Sequence, residues 1–196
     1  MIRSRKDLHK YIEQDRLMNS CPVHYSLFLG IKNRLLSNHI IRYLFLLRKA
    51  EYYTNCRKYS ILRAWYVVRY RRLGLKLGFS LPLNAFGPGL SLPHTGTIIV
   101  HPEARIGANC RLHVCTNIGA SAGGSKAPQL GDNIYIGPGA ILFGDITLAD
   151  NITIGANATV NKSCEKPNVV LAGTPAKIVK EDFSNWTVFN NMQDVL

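Results

Sequence analysis

The sequence predicts an α+β protein in which an N-terminal α-helical region precedes a parallel β-helix of hexapeptide repeats with an extruded loop. Three observations support this fold class. A small aliphatic residue returns at every sixth position from Val100 onward, helix formers and cations fill residues 1–77, and the interval between Ile118 and Leu130 lacks its aliphatic residue. A period of six fits neither an α-helix nor a simple strand. It indicates a chain that turns a corner every six residues.

The hexapeptides share more than their aliphatic residue. In IGANCR, LGDNIY, IGPGAI, LADNIT and IGANAT, Gly or Ala stands second and a small or apolar residue stands fifth. Small second residues suit tight corners, and stacked coils of such units bury one another. We therefore expect the ten periodic residues to form a continuous core: Val100, Ile106, Leu112, Ile118, Leu130, Ile136, Leu142, Leu148, Ile154 and Val160.

Residues 1–77 are predicted to form several helices. Turn formers interrupt the helical periodicity at Cys21-Pro22, at Gly30 and near Thr54-Asn55. The helical region gives way to the repeats within the Gly- and Pro-rich stretch 74–89. We assign residues 78–180 to the β-helix and residues 181–196 to a C-terminal tail, whose aromatic residues are expected to pack on a coil or on a neighbouring subunit.

Excess positive charge is confined to the N-terminal part. Residues 1–78 carry 17 Lys and Arg against 4 acids, and the remaining residues carry 7 against 8. Apolar residues alternate with the cations in segments 39–53 and 63–72, which is typical of helices with an apolar and a basic face. Such helices suit an anionic membrane surface, and they equally suit packing on a neighbouring helix. No nucleic-acid-binding motif accompanies the charge, so we do not expect nucleic acid as a partner.

Neither export nor metal binding is indicated by the sequence. The longest apolar runs are too short to span a bilayer, and the N-terminal MIRSRKDLHKYIEQD lacks the apolar segment of a signal peptide. We expect a cytoplasmic protein, with a peripheral position at the inner membrane face as an addition. The five cysteines form no C-x-x-C pair, and the histidines lack ligand spacing, so no metal site is predicted.

The repeat segment resembles the left-handed β-helix acyltransferases of the hexapeptide-repeat family, and more narrowly their serine acetyltransferase-like branch, which includes capsule and lipopolysaccharide O-acetyltransferases. The resemblance rests on GPGLSLPHTGTIIVHPEARIG (87–107), NIGASAGGSKAPQLGDNIYIGPGA (117–140) and LAGTPAKIV (171–179). The left-handed direction of the coil is implied by this resemblance and not by the period of six, because crossovers between parallel strands are usually right-handed. It also implies acetyl-CoA as co-substrate, a homotrimer, and an extruded active-site loop after Ile118.

Acyl transfer to a hydroxyl needs a general base, and histidine is the natural one near neutral pH. Of the six histidines, His94 in GLSLPHTGTIIV lies in the segment that resembles the family's catalytic histidine region. The resemblance therefore implies that His94 is the catalytic base, with His113 as the reserve candidate. A turn histidine that only caps backbone groups is the alternative. We expect direct attack within a ternary complex, without an acyl-enzyme.

This sequence also differs from the serine acetyltransferases at several positions near the expected active site. The family's serine acetyltransferases orient this histidine with an aspartate about one coil earlier, whereas residues 52–102 contain no acid. Because no acid is available one coil earlier, we expect a backbone carbonyl or Glu103 to orient His94. Pro93 stands where those enzymes carry another acid, and Lys126-Ala127 replaces the Arg-His pair of their substrate loop.

These departures bear on the acceptor. A buried carboxylate or ammonium needs a charged partner, whereas a sugar hydroxyl does not. We therefore expect O-acetylation of a saccharide unit of a capsule, exopolysaccharide or lipopolysaccharide, whether monomeric, polymeric or lipid-linked. The alternatives are serine O-acetylation for cysteine biosynthesis and a non-catalytic trimeric scaffold.

The donor site is also implied by the resemblance. In the family, the pantetheine arm of acetyl-CoA lies along the groove between neighbouring β-helices and bonds to backbone groups at the corners. The alternative interpretation of each position that matches the family's donor site is a tight turn without a ligand. One of these positions is a lysine, whose ammonium would contact a phosphate of the donor. The positions are Ala120, Ser121, Pro138, Ala156 and Lys177.

Overall fold

The computed structural model describes residues 1–19, 39–57 and 60–183. Three α-helices lie within these residues: α1 (Arg5–Met18), α2 (His39–Cys56) and α3 (Ile61–Leu77). The predicted breaks at Cys21-Pro22 and Gly30 lie outside the described residues. The predicted break near Thr54-Asn55 is slightly misplaced, because α2 continues through it and ends at Cys56. No described helix is long and apolar enough to cross a bilayer.

Within the described residues, thirteen short strands follow α3 and form three faces. Face 1 contains β1 (Phe79–Ser80), β2 (Ile98–Val100), β5 (Thr116–Gly119), β8 (Ile141–Phe143) and β11 (Thr159–Val160). Face 2 contains β3 (Arg105–Ile106), β6 (Gln129–Leu130) and β9 (Thr147–Leu148). Face 3 contains β4 (Arg111–Leu112), β7 (Tyr135–Ile136), β10 (Thr153–Ile154), β12 (Val170–Gly173) and β13 (Ala176–Lys180). Strands pair in parallel within each face, except that β12 and β13 form an antiparallel hairpin.

The core of the β-helix consists of two sets of inward-pointing residues. All ten periodic aliphatic residues are buried, with at most 6% of any one exposed. The fifth residues of the hexapeptides are also buried, and they are mostly small or apolar: Ala104, Cys110, Thr116, Ile134, Ala140, Ile146, Ile152 and Ala158. Because each coil buries the next, the period of six specifies the core directly.

Three edges separate the faces, and each is named here by its content. The histidine edge (residues 93–97, 113–115, 137–140 and 155–158) joins face 3 to face 1. The loop edge (residues 101–104, 120–128 and 144–146) joins face 1 to face 2. The asparagine edge (residues 107–110, 131–134 and 149–152) joins face 2 to face 3.

A ladder of amides fills the asparagine edge. Asn109 and Asn133 have φ values of 55° and 57°, and Asn151 has 59°. Asparagine tolerates this left-handed conformation better than most residues. The Nδ2 atom of Asn109 donates to Oδ1 of Asn133 at 3.0 Å, and Nδ2 of Asn133 donates to Oδ1 of Asn151 at 2.9 Å. Gln14 of α1 extends the ladder by donating to Oδ1 of Asn109 at 3.0 Å.

Helix α2 covers the first coil and shares its core. Tyr43, Leu44 and Leu47 are buried in the same cluster as the β-helix residues, and the ring of Tyr43 lies 5.2 Å from that of Phe79. For segment 39–53, the packing interpretation of the amphipathic pattern is therefore correct, and its apolar face is not available to a membrane.

A buried ionic cluster fixes the helices to this coil. Arg48 of α2 is fully buried and donates to Asp15 of α1 at 2.8 and 3.2 Å and to Glu51 at 3.1 Å. It also donates to the carbonyl oxygens of Phe86 and Gly87 at 3.0 and 2.7 Å. A buried charge is tolerated only when it is paired and hydrogen-bonded in this way. The cluster therefore holds α1, α2 and the first coil together.

Candidate active site

His94 lies on the histidine edge, in the first coil. Ser91 pairs with Arg111 on face 3, so the chain leaves this face at Pro93 and turns toward β2. The cyclic Pro93 and the nearby Gly96, with φ of 149°, suit this corner. The side chain of His94 is exposed, which leaves its imidazole accessible to a ligand.

His113 lies one coil above and beside His94. The two ring centroids are 6.1 Å apart, and the ring of Tyr135 packs 5.0 Å from that of His113 on its other side. Burial lowers the pKa of His113, with smaller contributions from Arg111 and from His94. Its Nε2 atom is buried and has no hydrogen-bond partner among the described residues. The uncharged imidazole of His113 therefore buttresses one side of the exposed imidazole of His94.

Small corner residues continue the histidine edge above the two histidines. The N–H of Gly139 donates to the carbonyl of Val114 at 3.0 Å, and the N–H of Asn157 donates to the carbonyl of Pro138 at 2.9 Å. A Cβ atom at Gly137 would lie 2.8 Å from the backbone nitrogen of Ala156, so glycine permits this close stacking of coils. Pro138 and Ala156 are both exposed along this column.

The β12–β13 hairpin completes the column. The hydroxyl of Thr174, in the hairpin turn, donates to the carbonyl of Asn157 at 3.2 Å. Lys177 pairs with Ala172 across the hairpin and is exposed. Four strand spacings, about 19 Å, separate β12 from the level of His94, and Lys177 lies one strand further on, in β13. Three of the five predicted donor-binding residues, Pro138, Ala156 and Lys177, thus lie at or beside the histidine edge.

The other two predicted donor-binding residues, Ala120 and Ser121, lie on the loop edge. The chain bulges outward there as predicted: Ile118 pairs with Leu142, 24 positions on, whereas Leu142 pairs with Val160, 18 positions on. The coil that contains the loop is therefore six residues longer than the next one. Within one chain, the loop edge and the histidine edge are separated by face 1.

Lys126 closes the loop by an ion pair. Its Nζ atom lies 2.6 Å from Oδ2 of Asp145, and both side chains are well exposed. An exposed pair of this kind contributes little to stability, but it fixes the direction of the loop. The neighbouring Ala127 is buried.

The expectation that Glu103 orients His94 is not met within the chain. Glu103 lies on the loop edge and is exposed. Its N–H donates to Nδ1 of His101 at 3.2 Å, and its carbonyl accepts from Gln129 at 3.1 Å. Face 1 separates Glu103 from His94, and the group that the structure brings to His94 is His113.

The histidine edge also carries an exposed thiol. Cys115 is exposed, with φ of 60°, and its N–H donates to the carbonyl of Thr97 at 2.7 Å. No group of three or more His, Cys, Asp or Glu residues in the described part of the chain could hold a metal ion. The edge can therefore offer an imidazole base and backbone groups at its corners, arranged along an exposed strip.

The spacing of the two histidines in the sequence also predicts that they lie next to each other. His94 and His113 are 19 positions apart, close to the length of one coil. Residues one coil apart on the same edge stack on each other, so the spacing predicts their contact. The buttressing by Tyr135 has the same origin, because Tyr135 pairs with Arg111 on face 3.

Comparison with known proteins supports the same fold. No family model matches the chain. The serine acetyltransferase of Staphylococcus xylosus is 33% identical over 103 residues, which cover 52% of this chain and 47% of that enzyme, so the chain spans about half of its length. The serine acetyltransferase of Staphylococcus aureus is 27% identical over 182 residues, which cover 92% of this chain and 79% of that enzyme.

Solved structures extend the comparison. The serine acetyltransferase of Brucella abortus in complex with coenzyme A superposes with a TM-score of 0.68 at 21% identity, covering 92% of this chain and 70% of that one. At this identity the likeness establishes the fold alone. The chain thus has the fold of the serine acetyltransferases, in which helices precede a left-handed β-helix of hexapeptide repeats.

Proposed function

We propose that this protein is an acetyl-CoA-dependent O-acetyltransferase and that His94 is its general base. The observation that carries the proposal is the position of His94: its exposed imidazole lies at the foot of a column of small corner residues and is buttressed by His113. Similarity to enzymes named serine acetyltransferase, one of them solved with coenzyme A, supports the same chemistry.

The proposed reaction is a single displacement. His94 takes the proton of the acceptor hydroxyl as its oxygen attacks the thioester carbonyl. Backbone N–H groups at the corners stabilise the oxyanion of the tetrahedral intermediate. The carbon–sulfur bond then breaks, and the proton held by His94 passes to the departing thiolate of coenzyme A. An ester of the acceptor and free coenzyme A are the products.

We further propose that the donor binds between protomers of a trimer. Pro138 and Ala156 lie on the histidine edge and Lys177 lies beside it, whereas Ala120 and Ser121 lie on the loop edge. A three-fold ring uses heterologous contacts, in which one edge of a protomer faces a different edge of its neighbour. Such a ring would bring the loop of one protomer to the His94 of the next.

Two acceptors are supported by different observations. The names of the relatives support L-serine directly. The histidine edge of one protomer favours a saccharide hydroxyl, because its residues 93–97, 113–115, 137–140 and 155–158 include no Asp, Glu, Lys or Arg. The charges near it are those of Arg111 on face 3 and, in the proposed ring, of the neighbour's loop. An amino acid needs partners for both its charges, whereas a sugar hydroxyl needs hydrogen bonds alone.

An acceptor assay separates these candidates. Purified protein is incubated with acetyl-CoA and either L-serine or capsule-type saccharides, and thiol release is followed together with the mass of the product. Turnover with saccharides and none with L-serine supports the saccharide acceptor, and the reverse result establishes L-serine. Coenzyme A binding without turnover on any acceptor would instead support the scaffold alternative.

A further inference from the structure

The outer face of α3 is exposed and carries four large apolar side chains interspersed with cations. Ile61 and Leu75 are 88% and 83% exposed, and Trp65 and Val68 are about half exposed. These four residues fall on one side of the helix, opposite Tyr70 and Gly74, which are its buried residues. Soluble surfaces rarely expose several large apolar side chains on one helix face without a partner.

Cations lie among and beside these apolar side chains, with Arg72 on the same helix face as Ile61 and Trp65. α3 contains no Asp or Glu, and all five of its basic residues are exposed: Arg63, Arg69, Arg71, Arg72 and Lys76. The guanidinium of Arg69 lies 4.6 Å from the ring centroid of Trp65. A Trp and aliphatic side chains interspersed with cations suit the headgroup level of an anionic bilayer, where cations meet lipid phosphates and the apolar side chains enter the interface.

A basic cleft opens beside the start of α3. Its volume is about 540 Å³, and it is lined by four basic residues, Arg5, His9, Lys49 and Arg57, with Tyr52 and Tyr53 among its other walls. No acid lines it. Arg5, Lys49 and Arg57 form no ion pair with any residue that the structure describes. Lys49 lies 5.4 Å from the ring centroid of Phe45, so none of the three cations has a described carboxylate partner, and a concave site with several such cations is suited to a phosphate group.

Aromatic rings join the cleft to the outer face of α3. Tyr53, in the cleft wall, stacks on Tyr66 of α3 with a centroid distance of 5.1 Å and an interplanar angle of 13°. Tyr66 contacts Trp65 edge-on at 4.6 Å. Leu62 of α3 is itself part of the cleft lining. The cleft and the helix face are therefore parts of one continuous surface.

We propose that this surface docks on an anionic phospholipid bilayer, with lipid phosphates entering the basic cleft and the apolar side chains of α3 entering the bilayer interface. Charge complementarity selects this occupant, because each exposed cation attracts an anionic leaflet. A second copy of the same face would bring five cations of one α3 against five of the other, which opposes self-association. The docking does not depend on the proposed acetyl transfer.

Vesicle co-sedimentation tests the proposal in the 196-residue chain. Vesicles of phosphatidylcholine alone are compared with vesicles of equal parts phosphatidylglycerol and phosphatidylcholine, at low and high salt. We expect binding to the anionic vesicles, weakened by high salt, and little binding to the neutral ones. No binding to anionic vesicles at low salt, or equal binding to both kinds, overturns the proposal.

Two variants locate the surface. Arg57→Glu in the cleft reverses one charge and should lower the vesicle partition coefficient by about tenfold or more. Trp65→Ser with Val68→Ser removes interfacial apolar area and should also weaken binding strongly. Lys162→Glu, an equivalent charge reversal on an exposed residue of the β-helix, is the matched control and should bind within about twofold of the unaltered protein.

Tryptophan fluorescence gives an independent measurement. In a Trp186→Phe background, Trp65 is the remaining tryptophan, and its emission should shift to shorter wavelength when anionic vesicles are added. An unchanged spectrum in the presence of sedimenting vesicles would show that binding occurs through another surface. Equal losses of binding in Arg57→Glu and in Lys162→Glu would show that charge acts without a defined cleft, and would also overturn the proposal.

Discussion

The histidine edge and the asparagine edge share one backbone geometry and differ in what their side chains do. On the asparagine edge, Asn109, Asn133 and Asn151 bond to one another along the axis. On the histidine edge, His94 is exposed and Nε2 of His113 is buried without a described partner. Polar side chains bond to one another where an edge is structural, whereas on the edge that is proposed to act on a ligand the imidazole of His94 is exposed and makes no such ladder.

A substitution at Asn133 tests whether the asparagine edge is the structural one. Asn133→Ala removes two ladder hydrogen bonds, at about 1 kcal/mol each, and replaces asparagine with a residue that tolerates a left-handed φ less well, for about 1 kcal/mol more. We expect the free energy of unfolding to fall by about 3 kcal/mol, measured by chemical denaturation. Asn133→Gly keeps the backbone conformation and should lose less.

The matched position on the other edge is Cys115, whose φ of 60° is nearly the same. Its side chain makes no hydrogen bond with the described residues, so Cys115→Gly should change the free energy of unfolding by less than about 1 kcal/mol. A loss as large as that of Asn133→Ala would show that the two edges are equally structural.

A second prediction concerns the pH dependence of stability. Because burial lowers the pKa of His113 in the folded protein, the unfolded chain binds more protons as the pH falls through the ordinary histidine range. The stabilising effect of uncharged His113 is thus present at neutral pH and lost on acidification. Between about pH 7 and pH 5, the free energy of unfolding should fall more for the unaltered protein than for His113→Gln. If the free energy of unfolding falls equally for both proteins, the claim that His113 is uncharged in the folded protein is contradicted.

A third prediction uses Cys115 as a reporter of ligand on the histidine edge. Cys115 is exposed there, whereas Cys164 is part of face 2 through its bridge to Leu148. Coenzyme A should slow alkylation of Cys115 by iodoacetamide and leave that of Cys164 unchanged, measured by peptide mass spectrometry. Protection of both thiols or of neither would argue against a donor site on this edge.

The sequence predicted the β-helix well because its information is repeated. Each aliphatic residue at the sixth position makes the same contact in every coil, so the period alone identified Leu112, Ile136 and Ile154 as core residues. The asparagine ladder has the same periodic origin. Asn133 and Asn151 are 18 positions apart, and a coil length read from the repeats would have predicted their contact.

The helical region was less predictable because its contacts occur once. Arg48 bonds to Asp15 and to the carbonyls of Phe86 and Gly87, and no spacing in the sequence relates these residues. Composition alone also could not separate α2 from α3. Both contain apolar and basic residues, yet α2 buries its apolar face in the core while α3 exposes Ile61 and Leu75.

The predicted donor-binding residues lie on two different edges of the β-helix for a physical reason. The sequence places Ala120 and Pro138 eighteen positions apart, but the extended loop lies between them. Ala120 therefore falls on the loop edge and Pro138 on the histidine edge. Which edges meet is a property of the assembly, and a single chain does not specify it.

The rate of acetyl transfer by His94→Ala is the most direct test of the central claim. Removing a general base should lower kcat by about 10²- to 10⁴-fold, while the affinity for coenzyme A and the denaturation midpoint stay close to those of the unaltered protein. Asn133→Gly, assayed below its melting temperature, should retain activity. A His94→Ala variant that transfers acetyl groups within about twofold of the unaltered rate would contradict the account.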